Sequence, residues 1–179
     1  MKRNQSLRAL TYAAVCLALC LVLPFLTGQI PKVGGMLCPM HLPVMLCGFA
    51  AGPLWGAAVG LVAPVMRHFI FRMPPYPSFV AMAFELATYG LVCGLLYRAL
   101  PRKKGRIYAA LLPAMVLGRA VSGLVMGLLL HLAGKPYPFA VFFTACVTQS
   151  VPGMLLQLIL LPVLVLALER GGYIIGKKA

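Results

Sequence analysis

Two acidic side chains, Glu85 and Glu169, stand in a chain of 179 residues that also carries 16 lysines and arginines. Glu85 interrupts one apolar stretch, with Thr88 and Tyr89 just beyond it, and Arg119 interrupts another, with Ser122 one turn on. His41, Arg67, His68 and the run Thr148-Gln149-Ser150 are polar groups at the ends of apolar segments. An ionisable side chain at bilayer depth costs several kcal/mol unless it is paired or hydrated, and it marks a functional site by default. Two readings follow. Glu85 and Arg119 could form an ion pair that only fixes two helices. Alternatively, His41, Arg67, Glu85, Tyr89, Arg119 and Gln149 line an outer-facing polar pocket. Its cationic side would take a carboxylate or phosphate, and its acid would accept donors. The pocket is the stronger expectation, because His41, Arg67 and Gln149 supply more polarity than one structural pair requires.

Other chemistries have weaker support. Cys38, Met40 and His41 are ligand types that suit copper, but their spacing matches no closed site. The remaining cysteines (Cys16, Cys20, Cys47, Cys93, Cys146) are dispersed through apolar sequence and read as small hydrophobes. No metal, cofactor or disulfide framework is expected. Ser122 precedes Gly123 as in intramembrane serine proteases, yet His131 follows nine residues later on the same helix, about 13 Å along its axis. That is too far for a general base. Gly134-Lys135 is followed by Pro136, so no phosphate-binding loop is present and the chain is not expected to hydrolyse ATP.

The elements that position these residues follow from composition. With 62% hydrophobic and 10% charged residues, the chain is neither an ordinary soluble domain nor a disordered one. A membrane span takes about 20 apolar residues, so this length holds about six of them and no separate soluble domain. The expected fold is an all-α integral membrane protein, a single domain over residues 1–179 forming a compact bundle of six transmembrane helices.

The first run covers 9–27 and ends without the Ala-x-Ala pattern of signal-peptide cleavage, so it reads as a retained helix. A second run begins near Pro39 and a third ends near Phe71, with Gly52-Pro53 as their turn. Together they are short for two full crossings. Residues 78–100, 107–132 and 139–168 form the fourth, fifth and sixth runs. With the N-terminus inside, eleven of the 16 basic residues fall on the inner side, which places both termini in the cytoplasm. The +14 charge is then an orientation signal and implies no nucleic-acid partner.

Glycines at 48, 52, 56 and 60, then at 90 and 94, and at 123 and 127, recur at four-residue spacing, which lets helix backbones approach closely. Packing within the bundle is the favoured reading, with a docking face for another membrane protein as the alternative. On the first helix, Ala14 and Ala18, or the offset pair Ala9 and Ala13, form a small-residue stripe.

Met36-Leu37-Cys38-Pro39-Met40-His41-Leu42-Pro43-Val44-Met45-Leu46-Cys47-Gly48-Phe49-Ala50-Ala51-Gly52-Pro53 resembles the segment of energy-coupling factor (ECF) vitamin transporter S components that leads from the first loop through the second helix. Met82-Ala83-Phe84-Glu85-Leu86-Ala87-Thr88-Tyr89-Gly90 is similar to the fourth-helix pattern of one subgroup. The resemblance implies a substrate-binding subunit of the bacterial plasma membrane that captures a water-soluble vitamin or related micronutrient near its outer side. It implies partners too: a transmembrane scaffold (T) subunit, docked through Ala14 and Ala18, and two cytoplasmic ATPase subunits. Riboflavin-type members carry an Asp-containing stretch where this chain has Cys38-Pro39-Met40-His41, which argues against riboflavin. Arg67 and Arg119 would suit an acidic substrate such as pantothenate or a folate, and Glu85 would equally suit a basic one. An intramembrane enzyme and a stand-alone secondary transporter are the alternatives.

Overall fold

A computed structural model describes residues 2–26, 38–101, 105–136, 138, 144 and 151–175. Among these the chain forms six helices and no strand: α1 (Lys2–Leu26), α2 (His41–Ala50), α3 (Pro53–Phe71), α4 (Ser78–Ala99), α5 (Arg106–Leu132) and α6 (Val151–Arg170). Five of them, all but α2, are long and apolar enough to cross a membrane. The helix expected from residue 9 already includes the basic head of the chain. The expected start of the sixth run at Phe139 lies outside the described residues, as do the basic residues at 102–104 and 177–178.

The short combined length of the second and third runs is divided unequally. α2 has 10 residues, about 15 Å of helix, whereas α3 has 19, about 28 Å. Between them Gly52 adopts φ 115°, a left-handed value that a side chain would strain, and Pro53 starts α3 where its missing N–H is no loss. α3 ends on Arg72 in a left-handed conformation (φ 57°), whose N–H bonds the carbonyl of His68. His68 then fixes the connection to α4, donating from Nδ1 to the Pro74 carbonyl at 2.7 Å and stacking on Phe79 at 4.0 Å.

Glycines join α2, α3 and α4. A methyl added to Gly48 would lie 2.5 Å from the Gly90 carbonyl oxygen, and one on Gly56 would lie 2.7 Å from the Gly48 Cα. One on Gly94 would meet the Pro53 Cα at 2.6 Å. The three backbones therefore touch directly, as small residues permit in a setting where lipid is as apolar as the side chains. α2 is the hub of the bundle and touches α1, α3, α4 and α6, with Val44, Met45, Cys47 and Phe49 fully buried.

α1 packs through Ala9, Ala13, Cys16 and Cys20, one helical face at intervals of three and four residues. Of the two alanine pairs, this is the one turned into the core; Ala14 and Ala18 are exposed on the outer surface. Large apolar side chains such as Leu54, Leu124, Leu132 and Ile159 also face outward, at 70–77% exposure, as a lipid-facing surface requires.

Polar contacts close one end of the bundle. Glu169 of α6 accepts from Arg106 of α5 at 2.6 Å and from the Tyr97 hydroxyl of α4, while the Arg106 guanidinium lies 4.0 Å from the Tyr97 ring centre. Arg98 Nη2 donates to the carbonyls of Ala51 at 3.1 Å and Ile175 at 3.3 Å, and the Ile175 N–H bonds the Ala50 carbonyl. The turn after α2 and the segment after α6 are thus tied together beneath α4.

Candidate functional site

Three helices bring three of the expected residues together. The α2 N-terminus presents His41, 1% exposed, whose Nε2 lies 3.2 Å from Glu85 Oε1 on α4. Arg119 of α5 reaches the same oxygen through Nη1 at 2.8 Å. Its Nη2 is directed at the Cys38 sulfur at 3.6 Å, just before α2. Glu85 is 4% exposed and the expected ion pair exists, with His41 as a second partner of the acid and the Cys38 thiol against the arginine. One carboxylate oxygen serves both a guanidinium and an imidazole, an arrangement whose hydrogen bonds are stronger in a low-dielectric interior than in water.

Tyr89, one turn beyond Glu85, forms a wall of this cluster. Its ring centre is 5.2 Å from that of His41, and its hydroxyl donates to the Met115 carbonyl of α5 at 3.4 Å. Gly118 makes room for the ring, since a methyl there would be 2.6 Å from Tyr89 Cε1.

Arg67 is used elsewhere. It donates from Nη1 to the Leu21 carbonyl at 2.9 Å and stands between the rings of Phe25 and Phe71, 5.2 and 5.4 Å from their centres. It joins α3 to α1, and no contact links it to Glu85. Gln149, with Thr148 and Ser150, lies outside the described residues. Among those residues no group of three or more His, Cys, Asp or Glu side chains is placed to hold a metal ion.

The sequence reading overlooked Gln157. It is an isolated amide in the apolar run Leu155-Leu156-Gln157-Leu158-Ile159, and it is 1% exposed inside the bundle. The signal is present, a polar residue at the middle of a span, but a single uncharged amide stands out less than the polar run at 148–150. Among the described residues, three buried side-chain atoms have no hydrogen-bond partner: His41 Nδ1, Arg119 Nε and Gln157 Nε2.

Residues 8–165 match the protein family described as the substrate-specific component of ECF transporters. That match covers most of the chain. The protein belongs to the ECF transporter substrate-specific components. ECF S components are transport subunits that bind a vitamin or micronutrient and are not enzymes; ATP hydrolysis sits on partner subunits. Association with a T subunit and ATPases is what membership of the family implies. As an S component with five helices apolar enough to span, the chain is a multi-pass membrane protein. No curated protein and no solved structure matches it.

Proposed function

We propose that this S component captures one water-soluble vitamin or related micronutrient at the His41–Glu85–Arg119 cluster, with Tyr89 as its wall. The whole chain, residues 1–179, acts as a single domain making six passes through the bacterial plasma membrane, both termini in the cytoplasm. α2 is the shortest pass and covers the half of the bundle between the cluster and the cytoplasmic Glu169 network. Substrate enters from the outer side, and Arg67 anchors α1 beside the entrance. A scaffold T subunit docks on α1 through Ala14 and Ala18, and two cytoplasmic ATPase subunits drive release inward. The exposure of Ala14 and Ala18 supports the docking reading, since only an outward pair can meet a partner.

The observation that carries the binding reading is a buried acid shared by histidine and arginine, in a chain whose family binds small molecules. The substrate reading favours acidic compounds such as pantothenate or a folate, because Arg119 keeps one N–H without a partner.

Mass spectrometry of the small molecule that co-purifies with the isolated protein tests this, followed by uptake with and without the T and ATPase subunits. A vitamin-like compound and dependence on the partners support the reading. Uptake into proteoliposomes holding this protein alone would replace it with a secondary transporter. Ala14→Trp combined with Ala18→Trp abolishes co-purification of the T subunit and leaves small-molecule binding unchanged; loss of both would reject the docking face.

A further inference from the structure

The depth of Gln157 in the bundle follows from register. Glu169, Tyr97 and Arg106 meet at one level, each from a different helix. Gln157 lies twelve residues before Glu169 on α6, and Glu85 lies twelve before Tyr97 on α4. Arg119 lies thirteen residues after Arg106 on α5. At 1.5 Å per residue all three are displaced by about 18–20 Å from the shared level, and in the same direction. α2 agrees: His41 touches Glu85, and about 15 Å along the helix the Ala50 and Ala51 carbonyls meet Ile175 and Arg98 beside Tyr97. Gln157 therefore faces the bundle interior at the depth of Glu85 and Arg119, from the third helix of the same set.

An amide at this depth with an N–H unmet is unfavourable, because burying a polar group without a partner forfeits its hydration. The Glu85 cluster has a matching deficit. Nη1 of Arg119 is committed to Glu85 and Nη2 to the weak sulfur acceptor of Cys38, while Nε has no partner. Nε and Nη2 form an edge of the guanidinium that can receive two oxygens in parallel. We propose that Gln157 is a ligand-contacting residue of the Glu85 site, donating with the Arg119 edge to an acceptor-bearing group of the substrate, a carboxylate or an amide carbonyl. This rests on the reading of that cluster as the substrate site.

A structural role and a binding role for Gln157 predict opposite signs of effect. The amide N–H lacks a partner in the ligand-free protein, so Gln157→Leu or Gln157→Met removes its penalty and leaves the Tm without ligand raised or unchanged. The same changes weaken binding by about ten- to a hundredfold.

The experiment is calorimetric titration of the full-length protein in detergent with pantothenate, nicotinate, biotin and 5-formyltetrahydrofolate, with thiamine as a probe lacking a carboxylate. Binding of one or more of the four acids, weakened by both variants while the ligand-free Tm is raised or unchanged, supports the proposal. Unchanged affinity in Gln157→Met, with Glu85→Gln abolishing binding, overturns it and leaves the Glu85 site standing. Failure of both Gln157 variants to fold makes the residue structural and also overturns it. Binding of thiamine alone rejects the acceptor-bearing substrate, and binding of none of the five rejects the site reading itself.

Discussion

The two acidic side chains occupy two levels of the same helices and are used in opposite ways. Glu169 joins α4, α5 and α6 through Tyr97 and Arg106, and its side chain is 18% exposed. Glu85 joins α2, α4 and α5 through His41 and Arg119, at 5% exposure. A latch works when its polar atoms are satisfied, and water can reach the Glu169 level to complete what the protein does not. At the Glu85 level, buried nitrogens on His41, Arg119 and Gln157 remain without partners. Native interiors rarely tolerate such atoms without a reason. The contrast separates an ion pair whose partners are satisfied from one with unmet nitrogens around it, and it is the second that the proposed binding role uses.

The largest expected effect comes from removing the buried acid. Glu85→Gln leaves the Arg119 charge without its counter-ion in a low-dielectric setting, which destabilises the fold by about 3–5 kcal/mol and abolishes small-molecule binding. Reversible unfolding in mixed micelles, compared with titration of the co-purifying compound, reads both. Glu85→Leu combined with Arg119→Met removes both charges together. It should recover most of the lost stability while binding stays absent. Recovery of binding along with stability would reduce the upper network to a latch like the lower one and erase the contrast.

Glu169→Gln is the matching change at the other level, and its effect is smaller. The pair is partly exposed, and screening by solvent and salt lowers its contribution to about 1 kcal/mol. Stability of the wild type should therefore fall towards that of the variant as salt is raised, while substrate affinity stays within twofold. A tenfold loss of affinity in Glu169→Gln would show that the two levels are coupled.

Much of this division could be read from the residues. Glu85 and Arg119 stand out because ionisable groups in apolar runs are conspicuous, and His41 because it opens a short run. The glycine pairs at 56 and 60 and at 90 and 94 foretold the close approach of α3 and α4, since the 3.6-residue period places such residues on one face of a helix. Gly52 instead falls in the turn that parts α2 from α3. Helix rotation was harder to read. On α1 the pairs Ala9/Ala13 and Ala14/Ala18 are offset by five residues, about 140° around the axis, and only the packing of α1 against α2 and α3 settles which is buried. Arg67 shows the same limit: a cation at a helix end can turn to a pocket or to a neighbouring backbone, and the Leu21 carbonyl with two phenylalanine rings received it. Gln157 has no charge to mark it, and its depth emerges only from its register against Glu169.

The smallest effects come from the two tyrosines that flank these acids on α4. Tyr97 donates to a carboxylate, so Tyr97→Phe removes a charge-assisted hydrogen bond while the ring remains under Arg106. It should cost about 0.5–1 kcal/mol, no more than loss of the acid itself. Tyr89 donates at 3.4 Å to the Met115 carbonyl, inside α5, and that oxygen keeps a backbone partner within its helix. Tyr89→Phe should therefore change stability by no more than about 0.5 kcal/mol. Its ring still supports His41, so affinity for the co-purifying molecule should stay within twofold. A tenfold loss of affinity at unchanged stability would mean that the hydroxyl leaves Met115 for the substrate, and Tyr89 would join Arg119 as a direct contact. Comparing the two Tyr→Phe variants by the same pair of measurements separates a hydroxyl that stabilises the lower latch from one that only lines the upper site.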